Sequence, residues 1–551
     1  MPGRAMLGAR PTRRELLQAA LLQSFLIALT GRAAAAEDSA PADASALDIR
    51  SCGAIGNGHV LDTHAINRAI ELVAGKGGGA VRVPAGDYLC HTLHLKSGVT
   101  LALERGAVLR AASPGRYDPV EPNPWAAYQD YGHNHWHNSM ICGVGVSDVT
   151  IRGPGLLCGD GMSRGEGSTP SSRTQGVADK VIALKDCRNV ALEGFSLTGS
   201  AHFGVLASGV QNLRAARLLI DVARDGIDID CCENVVLEDL VLNTPHDDSI
   251  ALKASAALGR CQPTRKVSIR RCFVTGGFAP GSLHDGRRVP IGAADGMKAR
   301  IKLGTESCWG FEDILIEDCV ISNGLGIPLL AVDGGPLTRV DIRNVTLSNI
   351  QDSPLFLRLG RRLSAPPGAA VREFADVTVE KLRCDRFGFP IIVSGIPDHR
   401  IERVSLSDIE LVAESDDAGE RGGGWMPIAR AAAIAELIPP ECEALYPEVG
   451  MFGALPAKLL FARHVDGLSV DGLRFRRVRA AAEEAHAAQG NARPLFWLRD
   501  VAGVRFSEIA APKGVAGPIC HSDKSIDVAL AASEDLPRAP DWLPAARSHP
   551  F

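Results

Sequence analysis

A loose repeat of about 23 residues runs through the middle of the chain, and no other feature restricts its fold so tightly. One series of β-branched segments reads NVALEGFSL, NLRAARLLI, NVVLEDLVL, KVSIRRCFV, DILIEDCVI and RVDIRNVTL, anchored at Val190, Leu213, Val235, Val267, Ile314 and Val340. A second series alternates with it: VIALK, FGVLAS, GIDID, SIALK, RIKLG, LLAVDGG and LFLRLG. Its central residues are Ile182, Val205, Ile227, Ile250, Ile301, Leu330 and Phe356. The first steps along the second series, from 182 to 205, 227 and 250, are 23, 22 and 23 residues; later steps are longer. Two or three short strands per period, with no helical pattern between them, predict an all-β chain folded as a right-handed parallel β-helix. A propeller blade needs about 40 residues and four strands, and the leucine-rich-repeat consensus is absent.

The flanking segments fit a capped solenoid. Residues 48–110 open with SCGAIGNG, a predicted short capping helix from about Asp62 to Val73, a GGG turn and strand alternation. An exposed first coil needs such a cap. The repeat is expected to run as one domain over 48–530, interrupted between Leu411 and Leu459 by an insertion at 412–458, and to end in a tail at 531–551. Solenoid insertions leave from one face, often the binding face. At the other end, Arg13 and Arg14 precede an apolar run from Leu16 to Leu29 and an alanine-rich site ending near Ala36. That layout predicts a twin-arginine signal peptide over 1–36, followed by a linker at 37–47, and export to the periplasm or beyond. The apolar run is too short for a confident membrane span, and no other run of about 18 apolar residues follows.

Composition narrows the function classes. With 46% hydrophobic residues among 551, the chain can bury a large core. A formal net charge of −5 gives no electrostatic support for nucleic-acid binding. Fourteen cysteines in so long a chain do not read as a small disulfide scaffold. Cys187, Cys272 and Cys319 fall at similar places in strand-like segments and are expected to stack as buried thiols. No CxxC spacing occurs, so neither a metal nor any other cofactor is expected. A capped solenoid has no need of a partner, and a monomer is expected.

The chemistry concentrates in RDGIDIDCCENVVLEDLVLNTPHDDSIALK. If Ile227 and Ile250 occupy equivalent rungs, Asp225 and Asp248 stack as well, two residues before each, while Asp247 is offset by one. Arg300 and Lys302, two apart around Ile301, share a face of their strand. Stacked carboxylates raise one another's pKa and keep a proton available. Inverting hydrolysis of a glycosidic bond uses one carboxylic acid to protonate the leaving oxygen and a carboxylate to activate water, about 6.5–9.5 Å apart. The cations suit an acidic sugar. Asp228 and Asp230 read instead as turn residues accepting backbone hydrogen bonds. Trp125, Trp136 and Trp425 are candidates for stacking on sugar faces.

These motifs resemble those of glycoside hydrolase family 28, the polygalacturonases and rhamnogalacturonan hydrolases, over roughly residues 48–510. ARDGID matches the family's Asn-Thr-Asp motif at Asp225, HDDSIALK its Asp-Asp motif at Asp247 and Asp248, and ARIKLGTES its Arg-Ile-Lys motif at Arg300 to Lys302. The resemblance implies that Asp247 is the general acid, that Asp225 and Asp248 hold the nucleophilic water, and that Arg300 and Lys302 contact substrate. It implies an acidic pectic polysaccharide or oligosaccharide as substrate. Two departures stand out: Ala223 and Arg224 replace Asn-Thr, and Gly-His-Gly is missing from the interval before Arg300. His284, in GSLHDGRR, and His246, directly before the Asp pair, are further candidates for substrate binding. YPEVGMFGALP and ARHV resemble stretches of bacterial members, so Glu448 and His464 are expected near the cleft. An insertion that walls off one end of the groove favours exo action. Two rivals share the fold: a calcium-dependent pectate-lyase-like enzyme, and a non-catalytic glycan binder.

Overall fold

The computed structural model describes residues 45–130, 132–164, 175–413, 438–477, 493–512 and 519–531. The expected signal peptide, the linker up to residue 44, Trp425 with the middle of the insertion, and the tail beyond 531 lie outside them. The strands from Leu47–Asp48 to Ile526–Leu530 wind into a right-handed parallel β-helix.

Each regular coil carries three strands. One coil contains Phe203–Ser208, Gln211–Ala216 and Leu219–Asp221; the next contains Ile227–Asp230, Glu233–Glu238 and Val241–Asn243. The period-2 alternation of their sequences decides which way side chains point. Ile227 and Ile229, Ile250 and Leu252, and Ile301 and Leu303 turn into the core. The alternate positions carry Asp228, Asp230, Lys253, Arg300 and Lys302, which face outward from one column of strands.

The expected register holds through the middle of the solenoid. Ile182 lies opposite Val205, Val205 opposite Ile227, Ile227 opposite Ile250, and Ile250 opposite Ile301. In the second column Val190, Leu213, Val235, Val267, Ile314 and Val340 stack in unbroken succession. At the corner between the two columns, Asn189, Asn212 and Asn234 adopt positive φ of 53°, 61° and 57°, a conformation that asparagine tolerates better than most residues. Their side chains form a ladder: Asn212 Nδ2 donates to Asn189 Oδ1 at 2.8 Å, and Asn234 Nδ2 to Asn212 Oδ1 at 3.1 Å.

Beyond Ile301 the expected register fails. Ladder pairing shifts by one residue between Ala299 and Arg300, and thereafter Ile327 faces Leu355 while Leu330 faces Arg358 and Phe356 faces Pro328. Ile301 thus falls in line with Ile327, three residues before Leu330, and an odd offset turns a side chain to the opposite face of its strand. Leu330 and Phe356 therefore point away from the core. They join Phe389, Ile392, Phe452, Phe461 and Trp497 in a second apolar cluster under the returning limb of the insertion. The cysteine column also needs correction. Cys272 and Cys319 occupy successive equivalent positions, whereas Cys187 belongs to another corner, in line with Val210 and Cys232. All the cysteines are free thiols.

At the N-terminal end, the helix Thr63–Gly75 buries Ile66, Ala69, Ile70 and Val73 over the first coil, as a cap should. Among the described residues, no helix is long and apolar enough to cross a membrane.

Candidate active site

The turns entering the outward-facing column bring the three aspartates together. Asp225 lies two residues before the strand Ile227–Asp230, and Asp247 and Asp248 precede Ile250–Ala254. Gly226 N donates to Asp248 O at 3.0 Å, which fixes Asp225 one rung from Asp248. Here glycine is required by close approach: a Cβ on Gly226 would lie 2.5 Å from the Ser249 carbonyl oxygen. Asp247 is set apart by its turn, where Thr244 Oγ1 donates to Asp247 O at 3.0 Å. One oxygen of Asp225 and one of Asp247 lie within 4.8 Å of each other and of a ring nitrogen of His202.

Charge divides the three carboxyls. Asp248 is 2% exposed; Arg300 Nε donates to its Oδ1, and Lys302 Nζ lies 3.1 Å from its Oδ2. Burial opposes its ionisation, but Arg300, Lys302 and Lys253 prevail and hold it below the usual carboxylate range. Asp225, 4% exposed, has no such clamp. Burial, then the charges of Asp247, Asp228 and Asp248, raise its proton affinity well above that of an ordinary aspartate. Its neighbour His202, with Nε2 at 3.3 Å, is held neutral by burial and by the positive charges of Arg224 and His133. Asp247 is more open, its side chain 24% exposed; Oδ1 accepts from the Asp248 amide at 3.1 Å, and Oδ2 pairs with Arg224 Nη2 at 2.5 Å.

Beneath this layer lies a second set of charges. Lys253 Nζ is 3.1 Å from Glu306 Oε2 and 3.8 Å from Asp228 Oδ2. His133 bridges the same two carboxylates, with Nε2 3.1 Å from Asp228 and Nδ1 3.0 Å from Glu306. Asp228 is thus part of a buried ion network and not the turn residue its sequence implied. Asp230 accepts from the Ser255 amide at 2.8 Å and hydroxyl at 2.6 Å, the structural role expected of it.

The described return of the insertion covers the ladder from outside. Buried Arg358 and Arg463 hold it through the carbonyls of Pro439, Pro440, Glu441 and Cys442. Glu448 Oε1 lies 3.4 Å from Arg300 Nη2, and the Tyr446 ring centroid is 5.9 Å from Lys302 Nζ. Glu448 therefore reaches the cluster as expected. His464 does not: it pairs with Asp500 and Glu441. His246 and His284 are both exposed. Their backbone amides brace turns, His246 to Ala223 O and His284 to Asp221 Oδ2, and neither ring is among the cluster's partners given above. Trp136 is no sugar platform, being 0% exposed with Nε1 bonded to Ser208; Trp125 is half-buried.

Sequence reasoning passed over His202, Lys253, Glu306 and His133, which the fold draws in, His133 from 95 residues before Asp228. Asp228 and Lys253 did carry a signal, since alternation around Ile227 and Leu252 turns both to the same side as Lys302. His202, Asp225 and Asp247 are also the described trio whose ligand atoms are spaced for a metal ion; Arg224 already neutralises one member of it.

Fold and cluster together define a parallel β-helix whose outward-facing column carries a carboxylate ladder clamped by an arginine and a lysine. The family model for glycosyl hydrolases family 28 matches residues 78–286 of the chain. The chain is 26% identical over 327 residues to a probable polygalacturonase of Vitis vinifera, a match spanning 54% of this chain and 60% of that protein's length. It is 23% identical over 359 residues to an endo-polygalacturonase of Pectobacterium carotovorum subsp. carotovorum, covering 61% of this chain and 81% of the relative. Among solved structures, the Yersinia enterocolitica family 28 exopolygalacturonase superposes with a TM-score of 0.57 at 17% identity, covering 88% of this chain and 77% of that one. The hyperthermoactive exopolygalacturonase of Thermotoga maritima gives 0.53 at 18% identity, covering 68% and 88%.

Proposed function

We propose that the chain is an exported, metal-independent glycoside hydrolase that cleaves α-glycosidic bonds in a pectic or related acidic glycan, with inversion and from a chain end. The observation that carries this reading is the triangle Arg300, Asp248 and Lys302, set one rung from Asp225 and beside Asp247. Asp247 is the general acid. Asp248, fixed as a carboxylate, orients a water, and Asp225, with the higher proton affinity, accepts its proton. The water oxygen bonds to the anomeric carbon as the glycosidic C–O bond breaks, and the leaving oxygen takes the proton of Asp247.

The nearest oxygens of Asp225 and Asp247, within 4.8 Å, are closer than the roughly 6.5–9.5 Å usual between inverting carboxyls. What supports single displacement is that Asp248, clamped by two cations, is not free to attack the anomeric carbon. Exo action is supported by the returning insertion, which lays Tyr446 and Glu448 against Lys302 and Arg300. The leader at 1–36 supports export. The substrate and its mode of cleavage are tested by sizing the products of polygalacturonate and rhamnogalacturonan digestion and following the newborn anomer by proton NMR. Monomers or dimers of inverted configuration are expected; long oligomers contradict exo action, and retained configuration contradicts single displacement.

A further inference from the structure

The two cations that the ladder motif supplies are already committed. Arg300 and Lys302 both hold Asp248, and Arg300 also meets Glu448. Asp247 meanwhile accepts at both oxygens, from the Asp248 amide and from Arg224, an arrangement that suits a carboxylate and not a proton donor. Asp225, within 4.8 Å of Asp247, is the carboxyl whose proton affinity burial and the neighbouring carboxylates raise. Arg224 is the half-open member of its pair, its side chain 30% exposed. It stands where the family motif has a threonine.

We propose that Arg224 receives a carboxylate of the acidic sugar, and that its change of partner from Asp247 to the substrate arms Asp247 as the proton donor. Exchange of one carboxylate for another at a guanidinium retains a charge-assisted contact. Once Arg224 has left, the O–H bond on Asp225 breaks and one forms on Asp247, directly or through the intervening water, and Asp225 becomes the base. Among the described residues, the other charged or titratable groups facing this pair include Arg164, His202 and Asp248; Arg164 adds positive charge beside the same carboxylates. A neutral sugar offers Arg224 nothing and leaves Asp247 ionised. Specificity for acidic substrate then appears in kcat as well as in KM.

This inference rests on Asp247 being the general acid, and the test separates the two. Full-length wild type, Arg224→Gln and Arg224→Lys are compared on an acidic oligogalacturonide and on its carboxyl-reduced, neutral counterpart, with kcat and kcat/KM followed against pH. In wild type the alkaline limb of kcat lies at higher pH than that of kcat/KM, because the complex and the free enzyme differ in Arg224's partner. Arg224→Gln brings the limbs together, raises KM for the acidic substrate about tenfold or more, and erases the kcat advantage over the neutral one; Arg224→Lys retains part of both effects. Unchanged limbs and an unchanged acidic-to-neutral ratio in Arg224→Gln would overturn the proposal. Calorimetric binding of the acidic oligosaccharide needs no turnover: at least tenfold weaker binding by Arg224→Gln, in a protein that melts like wild type, supports the carboxylate site even if the glycosidase reading fails. Equal affinity contradicts it.

Discussion

Asp248 and Lys302 are 54 positions apart in sequence, yet Lys302 Nζ lies 3.1 Å from Asp248 Oδ2 on the next coil, with Arg300 closing the other side of the carboxylate. The contact follows from register alone: Ile250 pairs with Ile301, and alternation turns Arg300 and Lys302 outward together. A carboxylate so clamped orients water but cannot easily take a proton.

Asp248→Asn should therefore fail in two measurable ways. Turnover is expected to drop by about 10²–10⁴-fold. Leaving Arg300 and Lys302 without their shared anion should cost about 3–5 kcal/mol of stability in denaturant titrations. Because the wild-type pKa is depressed, the stabilisation is complete above the ordinary value of 3.8 and is lost as pH falls below it. The mutant should lack that acid-side slope.

His133 makes the opposite prediction. Burial works against its charge, but Glu306 and Asp228 raise its pKa from 6.5 to about 10. A raised base stabilises the fold fully below 6.5, and that stabilisation is lost as pH climbs toward 10. Wild-type melting temperature should fall across this window, and His133→Gln should be less stable than wild type at pH 6 with a flatter profile above it. Parallel profiles would mean that the Asp228–His133–Glu306 bridge carries no charge.

Asp352, in the turn after the strand Leu337–Ile350, has its pKa raised to about 7 by burial and by the charge of Glu448. Folding then binds a proton that the unfolded chain releases, so this group makes stability decline from about pH 4 to pH 7. Asp352→Asn should raise the melting temperature at pH 8 and change it little at pH 4. A loss of stability at pH 8 would show that the ionised form is used.

The thiols give a check on the fold itself. Thiol titration under denaturant without reductant should count all 14 cysteines. In the native protein Cys261, the exposed one, should react first, and Cys52 and Cys442 more slowly.

Much of this was legible in the sequence, for a physical reason. A parallel solenoid converts sequence period into spatial stacking, so Ile182, Val205, Ile227 and Ile250 announced their own register, and with it the positions of Asp225 and Asp248. Legibility ended where the period broke. The shift between Ala299 and Arg300 misplaced Leu330 and Phe356 and hid the apolar shelf that carries the returning insertion. His133 and Glu448 arrive from loops outside the repeat, and no periodicity points to them. Arg224 was visible as a departure from a motif, but only the 2.5 Å pair with Asp247 gives that departure a consequence.

The most direct test is incubation of the purified protein with polygalacturonate in excess chelator, following reducing ends and ultraviolet absorbance together, beside Asp247→Asn. Reducing ends that accumulate without an unsaturated chromophore, and that fall at least about 10²-fold in a mutant still able to bind the glycan, are the expected result. Absorbance that appears only with calcium, or cleavage undiminished in Asp247→Asn, would contradict hydrolysis by this carboxylate ladder.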